Sequence, residues 1–194
     1  AIFLPETAAS VRAQELPAGW DLEWIVQEDG ERPSLAHLFD GDTRTSYAAN
    51  GLQLGISVTR NLALARLTGD LVQVLDHDDV LLPGAIATLI QKFEQHDIYW
   101  AVGAADDLLS SGTRVSWNSA LPFGIVRAGA ANRWANEQGG NWPVHCAGLM
   151  MRTELVRALG GWAAAPIDDD MVLFAELSEF GDGWNEETVT WLYR

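Results

Sequence analysis

The sequence predicts one α/β domain with a mainly parallel central sheet flanked by helices, and two observations carry that expectation. Segments of strand character alternate with segments of helical apolar spacing over roughly the first 110 residues, the order that builds parallel strands joined by right-handed crossovers. Within that stretch, Leu71-Val72-Gln73-Val74-Leu75 is almost continuously apolar, the mark of a strand covered on both faces. At 194 residues the chain fits one domain better than two.

Each element follows in order. Leu4, Ala8 and Val11 give residues 4–14 a helical face. Leu22-Glu23-Trp24-Ile25-Val26 reads as a strand, stopped by the turn signature Glu28-Asp29-Gly30. Residues 31–51 are polar and irregular. Leu54, Val58, Leu62 and Ala65 mark a second helix, with Gly69 placed to end it. After the 71–75 strand, Pro83 suits the start of a helix whose core face is Ile86, Leu89, Ile90 and Phe93. Ile98 to Ala104 is a further strand, followed by Asp106-Asp107 and a Ser-Ser-Gly turn. Residues 117–145, rich in Trp, Asn and Gly, read as loops. Glu154 to Leu159 is a short helix closed by Gly160-Gly161, and Met171 to Phe180 is another. The chain opens on a helix where such a sheet normally opens on a strand, so either the first strand is absent from this sequence or the strands are supplied in another order.

Composition narrows the function. A net charge of −15 disfavours nucleic acid and anionic lipid as partners. A phosphate-bearing ligand would then need something other than a basic patch, and a divalent cation held by carboxylates meets that need. No apolar run approaches the roughly 20 residues of a membrane span, so no transmembrane segment is expected. The N-terminus lacks the basic start and long apolar stretch of a signal peptide. The one cysteine, Cys146, cannot form an internal disulfide, which favours a reducing, cytoplasmic setting.

Asp76-His77-Asp78-Asp79 is the strongest chemical signal. Three carboxylates stand where a buried strand ends, and ligands of open α/β sheets bind beyond such ends. Carboxylate oxygens suit Mg²⁺ or Mn²⁺. One Asp there is explained by capping of the next helix; three repel one another without a cation. Asp29 also follows a strand. It reads as a turn residue, or as an acceptor for a base N–H or ribose hydroxyl. Asp168-Asp169-Asp170, delivered by a loop through Pro166, reads either as a helix cap or as the source of a general base. His77 and His145 are weak metal-ligand candidates, and Cys146 has no evident His/Asn relay. Trp117, Trp134 and Trp142 lie in loop-like stretches where an aromatic face could stack on a sugar.

Taken in order, Glu28-Asp29-Gly30, Thr59-Arg60-Asn61-Leu62-Ala63-Leu64 with Gly69-Asp70, Leu75-Asp76-His77-Asp78-Asp79-Val80-Leu81 with Pro83-Gly84, and Gly160-Gly161-Trp162 with Asp169-Asp170 resemble the family 2 glycosyltransferases of GT-A fold. The resemblance spans nearly the whole chain. It implies a GT-A-like, Rossmann-like sheet, and inverting transfer from a nucleotide-diphosphate sugar to a carbohydrate or other hydroxyl acceptor. It implies nucleotide-sugar binding by Asp29, Arg60, Asp76 and Asp78, a Mn²⁺ or Mg²⁺ ion on Asp78 and Asp79, and a base at Asp170, with Asp169 second. Residues 1–110 would form the donor half and 111–194 the acceptor half of one domain. Two departures stand out: Asp169 replaces the family's usual Glu, and the opening strand with its Pro-x-Tyr-Asn-like turn is lacking. The alternatives are a catalytically inactive nucleotide-sugar-binding relative, or a module that binds carbohydrate or divalent ions. Donor, base and acceptor would be set by the loops at 31–51 and 112–145.

Overall fold

The structure, a computed structural model, describes residues 2–165 and 168–194. The elements are α1 (Leu4–Arg12), β1 (Trp24–Glu28), β2 (Thr45–Ala49), α2 (Ile56–Leu64), β3 (Leu71–Gln73), β4 (Val80–Leu81) and α3 (Ala85–Gln95). Then come β5 (Trp100–Leu108), β6 (Arg114–Ser116), β7 (Gly124–Val126), α4 (Ala130–Glu137), β8 (Leu149–Arg152), α5 (Thr153–Ala158), α6 (Asp169–Phe180) and β9 (Gly183–Tyr193). No described helix is long and apolar enough to cross a membrane.

The main sheet runs β3-β8-β5-β9-β4, with β6 added to β5 and β7 to β9. Side chains along its central strands alternate between two cores, as a pleat requires. Trp100 and Val102, with Leu149 and Met151, face α5 and α6 and meet Phe174 and Leu177. Ala101 and Met150 face the other way, onto Leu89, Ile90 and Phe93 of α3 and Val11 of α1. The Ile86, Leu89, Ile90 and Phe93 face expected for α3 is buried in full. Helices therefore cover both faces, and the α/β class is as the sequence predicts.

The direction of the strands is not. Only β5–β9 and β1–β2 are parallel; β3–β8, β5–β8, β4–β9, β5–β6 and β7–β9 are antiparallel. The mainly parallel sheet is thus corrected to a mixed one. The reason is that an apolar run such as Leu71–Leu75 reports helices on both faces of a strand, not the direction of its neighbours. β8, Leu-Met-Met-Arg, sits antiparallel between β3 and β5. The strands expected at 22–26 and 71–75 do not share one central sheet. β1 pairs with β2 in a separate two-stranded sheet, whereas β3 belongs to the large one.

Six strands lay hidden in the sequence: β2 in the stretch read as irregular, β7 in the stretch read as loops, and β4, β6, β8 and the 11-residue β9 where no strand was expected. β9 carries Glu186 in its interior, where Lys92 lies 3.0 Å from the carboxylate. Of the apolar positions expected to line the second helix, Leu54 precedes α2 and, like Val58 and Leu62, is exposed, whereas Ser57 and Leu64 are the buried residues of α2.

α1 does more than bury Leu4, Ala8 and Val11. Its buried polar residues Thr7 and Ser10, with the buried Gln14 just past its end, grip the segment after β3. Thr7 Oγ1 donates to His77 O at 3.0 Å, and Leu81 N donates to Ser10 Oγ at 3.1 Å. Gln14 Nε2 donates to Leu82 O at 3.0 Å, while its Oε1 accepts from Ile86 N at 3.3 Å. Four backbone groups gain side-chain partners in this way, and the acid turn is fixed between β3 and β4.

Candidate active site

β3 ends at Gln73, and the chain turns through Asp76-His77-Asp78-Asp79 with Asp79 N bonded to Asp76 O at 3.2 Å. The three carboxylates diverge. Asp76 and Asp78 keep 38% and 32% of their side-chain surface exposed. Asp79 is fully buried. Its Oδ1 accepts from Arg194 N at 3.1 Å, and its Oδ2 has no partner among the described residues. Burial pushes its pKa up to about 7, the charges of Asp76 and Asp78 add to the rise, and the Arg194 N–H opposes it. Arg194 also donates from Nη1 to Asp78 O at 3.1 Å, so the end of β9 is tied to the acid turn twice. His77 is exposed, its Nδ1 3.7 Å from Asp78 Oδ1.

Arg60, on α2, joins this turn to the second acid group. Nη2 donates to Asp76 Oδ1 at 3.2 Å. Nη1 lies 3.5 Å from both oxygens of Asp169 and 4.0 Å from Asp170 Oδ2, and the guanidinium lies over Trp162, 6.0 Å from the ring centroid. The neighbouring Asn61 fixes the approach of the 160–162 turn. Its Nδ2 donates to Trp162 O at 2.8 Å and its Oδ1 accepts from Trp162 N at 2.9 Å. A side chain at Gly161 would collide with that Asn61 oxygen, and its φ of +73° is a region L-residues avoid.

α6 starts two residues earlier than its apolar pattern suggests, so Asp169 and Asp170 occupy its first turn. Their negative charge favours that end of the helix. Asp168 is the residue before it, with φ 57°, and its side chain makes no capping bond. Asp169 is buried against Arg60. Asp170 is more accessible, with 27% of its side chain exposed, and its Oδ1 accepts from Met171 N at 2.9 Å. Pro166 and Ile167, which were expected to deliver this group, lie outside the described residues.

Asp29 is held as a carboxylate. Leu54 N, Asn50 Nδ2 and Gly55 N donate to it at 2.7, 2.9 and 3.0 Å, and these bonds, led by that of Leu54, lower its pKa. Asn50 Nδ2 also reaches Thr59 Oγ1 at 2.9 Å. Asp29 and Asp76 therefore converge on adjacent residues of α2, Thr59 and Arg60, although their strands lie in different sheets.

The expected tryptophan faces separate. Trp134 and Trp142 pack against the core around Phe174, and Trp117 is 64% exposed beyond β6. The side chain of Cys146 lies outside what the structure describes. Sequence reasoning missed Arg194, and the polar stripe Thr7, Ser10 and Gln14 whose i, i+3, i+7 spacing marks a second helical face.

Among the described residues, no group of three or more His, Cys, Asp or Glu side chains forms a closed metal site. Mg²⁺ commonly takes only one or two carboxylates, with phosphates and water completing its shell. Two partly exposed aspartates beside a buried, half-partnered one fit that kind of open site, with Asp78 the accessible donor and Asp79 the buried one.

The fold and these acid groups define a glycosyltransferase-type domain. Two solved structures of S. aureus TarS, one bound to UDP-GlcNAc, match 98% of this chain with TM-scores of 0.77 at 13% and 12% identity. A mannosyltransferase of Pyrobaculum calidifontis, in complex with GDP-Man and Mn²⁺, matches 99% with a TM-score of 0.70 at 15% identity. These likenesses establish the GT-A fold. The Glycosyl transferase family 2 profile matches residues 2–160, and the chain belongs to that family. A Campylobacter jejuni GalNAc(5)-diNAcBac-PP-undecaprenol beta-1,3-glucosyltransferase is 32% identical over 96 residues. That match covers 47% of this chain and 30% of the relative, and the chain spans 53–56% of the solved chains.

Proposed function

We propose that this chain carries the site of an inverting, metal-dependent glycosyltransferase that moves a sugar from a nucleotide-diphosphate sugar to an acceptor hydroxyl. The observation that carries this reading is Arg60, whose guanidinium reaches Asp76 on one side and Asp169 and Asp170 on the other. That bridge supports a reading in which the donor-binding acids and the base share one crevice. Family membership and the UDP-GlcNAc and GDP-Man complexes of fold relatives support the donor class.

Asp29 receives the nucleobase, Asp76 the ribose, and Arg60 orients the Asp76 carboxylate. Asp78, backed by Asp79, would hold Mn²⁺ or Mg²⁺, which would supply positive charge to neutralise the diphosphate leaving group. Asp170 accepts the proton of the acceptor hydroxyl. The acceptor oxygen forms a bond to the anomeric carbon from the face opposite the leaving group. The electron pair of the broken C1–O bond leaves with the nucleoside diphosphate, and the anomeric carbon inverts. Asp169, buried against Arg60, orients rather than reacts. Residues 1–110 supply most of the donor side and 111–194 the acceptor side, in a cytoplasmic setting.

Thermal melting with UDP or GDP, with and without Mn²⁺, tests this reading. Metal-dependent nucleotide stabilisation is expected. Its absence, together with stabilisation by free sugars, would point instead to a carbohydrate-binding module.

A further inference from the structure

His145 has no part in the mechanism above, yet its surroundings are built. It immediately precedes the short 3-10 turn Cys146–Gly148 that leads into β8. A side chain at Gly148 would collide with the indole of Trp191, so the backbone of that turn rests on Trp191 itself. The imidazole centroid lies 5.1 Å from the Trp191 ring and 4.7 Å from the Tyr193 ring. β9 thus presents a wall of two aromatic rings, and His145 leans on it.

Carboxylates on three elements lie within electrostatic reach of this exposed residue. Asp107 pairs in register with Tyr193 across β5 and β9 and shares its face of the sheet. Its Oδ1 is buried with no hydrogen-bond partner among the described residues. The charges of Asp76, after β3, and Asp170, on the first turn of α6, also reach the imidazole. Desolvation lowers the pKa of His145 against the pull of these three acids, so the ring is neutral near pH 7. Ala147 N donates to His145 Nδ1 at 3.4 Å, so the neutral ring carries its proton on Nε2 and offers that N–H as a donor, whereas ionised carboxylates only accept. Hydroxyl groups both donate and accept. An anionic group entering here would meet three like charges, with Arg60 already engaged by Asp76 and Asp169.

We propose that His145, seated on Trp191 and Tyr193 and flanked by Asp107 and Asp170, is a substrate-contacting residue that binds a hydroxyl of an uncharged sugar acceptor. Asp107 accepts a second hydroxyl of the same sugar. The inference rests on the functional reading above and deepens it by naming the acceptor class, neutral carbohydrate rather than uronate or phosphate ester. Exclusion of the anionic acceptor follows from Asp76, Asp107 and Asp170.

The test compares the parent with His145→Ala, His145→Gln and His145→Phe, each shown to fold by its melting temperature. Three readouts are taken: Mn²⁺-dependent stabilisation by UDP or GDP, hydrolysis of UDP- and GDP-sugars without acceptor, and transfer to p-nitrophenyl hexosides against the matching hexuronides. His145→Ala is expected to leave the first two within about two-fold and to raise the acceptor KM by about ten-fold, one hydrogen bond's worth. His145→Gln should recover part of the loss and His145→Phe none of it. The parent should favour hexosides over hexuronides. An unchanged acceptor KM in His145→Ala, or a preference for hexuronides, overturns the proposal. Loss of metal-dependent nucleotide stabilisation in His145→Ala also overturns it, because the residue would then serve the metal or donor. A parent chain that neither binds nor hydrolyses any nucleotide sugar overturns the functional reading first, and this inference with it.

Discussion

Arg60 donates from Nη2 to Asp76 Oδ1 at 3.2 Å, and through this contact the N-terminal turn of α6 is coupled to the turn after β3. Only 13% of the Arg60 side chain is exposed, so the interaction is little screened. A planar guanidinium presents fixed donors to two carboxylate groups at once, a geometry that a compact ammonium on a flexible stem does not reproduce. Arg60→Lys should therefore keep the charge and still lower turnover about ten-fold or more, at a nearly unchanged melting temperature. Steady-state kinetics beside thermal melting checks this. Full activity in Arg60→Lys would show that charge alone suffices.

Asp78 and Asp79 differ in burial, and their variants should differ in kind. Asp78→Asn should abolish Mn²⁺-dependent stabilisation by nucleotide and leave the metal-free melting temperature alone. Asp79→Ala should lower that temperature as well, since it removes the acceptor of the Arg194 N–H inside a buried site, at a cost of about 1–3 kcal/mol. Metal-free melting curves separate the two. Identical curves for both variants would contradict the assignment of Asp79 to the buried side of the turn.

Gln14 holds Leu82 O and Ile86 N from a position in the core. Gln14→Leu leaves both backbone groups without that partner and should destabilise by about 1–3 kcal/mol or more. Because the acid turn hangs on this clamp, nucleotide affinity should fall too. Chemical denaturation and nucleotide titration read the two effects. A variant as stable as the parent would mean that water replaces the amide.

Glu186 predicts an acid limb of stability. Burial alone would raise its pKa, but bonds from Thr188 N and Oγ1, Lys92 Nζ and Trp184 Nε1 outweigh burial and bring it down to about 2. The folded pKa is depressed, so the stabilisation is complete above about 4.5 and is lost as pH falls toward about 2. That difference corresponds to about 3 kcal/mol. Glu186→Gln should flatten the decline in stability over this window, measured by denaturation at stepped pH. An equally steep decline in the variant would place the titrating group elsewhere.

The chemistry was more legible in the sequence than the sheet. The acid triplets at 76–79 and 168–170 stand out because clustered like charges repel one another, and α3 was legible because its apolar period is strict. β9 was not, because Asn185-Glu186-Glu187-Thr188 breaks any alternation, and what lets Glu186 be buried is Lys92, on α3 far away in the sequence. Strand direction was hidden for a related reason: Leu71–Gln73 would read the same beside a parallel or an antiparallel neighbour. Arg60 was placed with the donor, and its reach to Asp169 depends on the Asn61–Trp162 clasp, which no local pattern reveals.

The most direct test of the account is turnover in Asp170→Asn beside nucleotide affinity in the same protein. A base acts on the acceptor and not on the donor, so nucleotide affinity should stay close to that of the parent. Turnover should fall by roughly 10²–10⁴-fold, the usual contribution of a positioned base, while Asp168→Asn, on an exposed residue outside the helix, should change it little. Full turnover in Asp170→Asn would contradict the central claim: with activity lost instead in Asp169→Asn the base is its neighbour, and with activity kept in both the acids only cap α6.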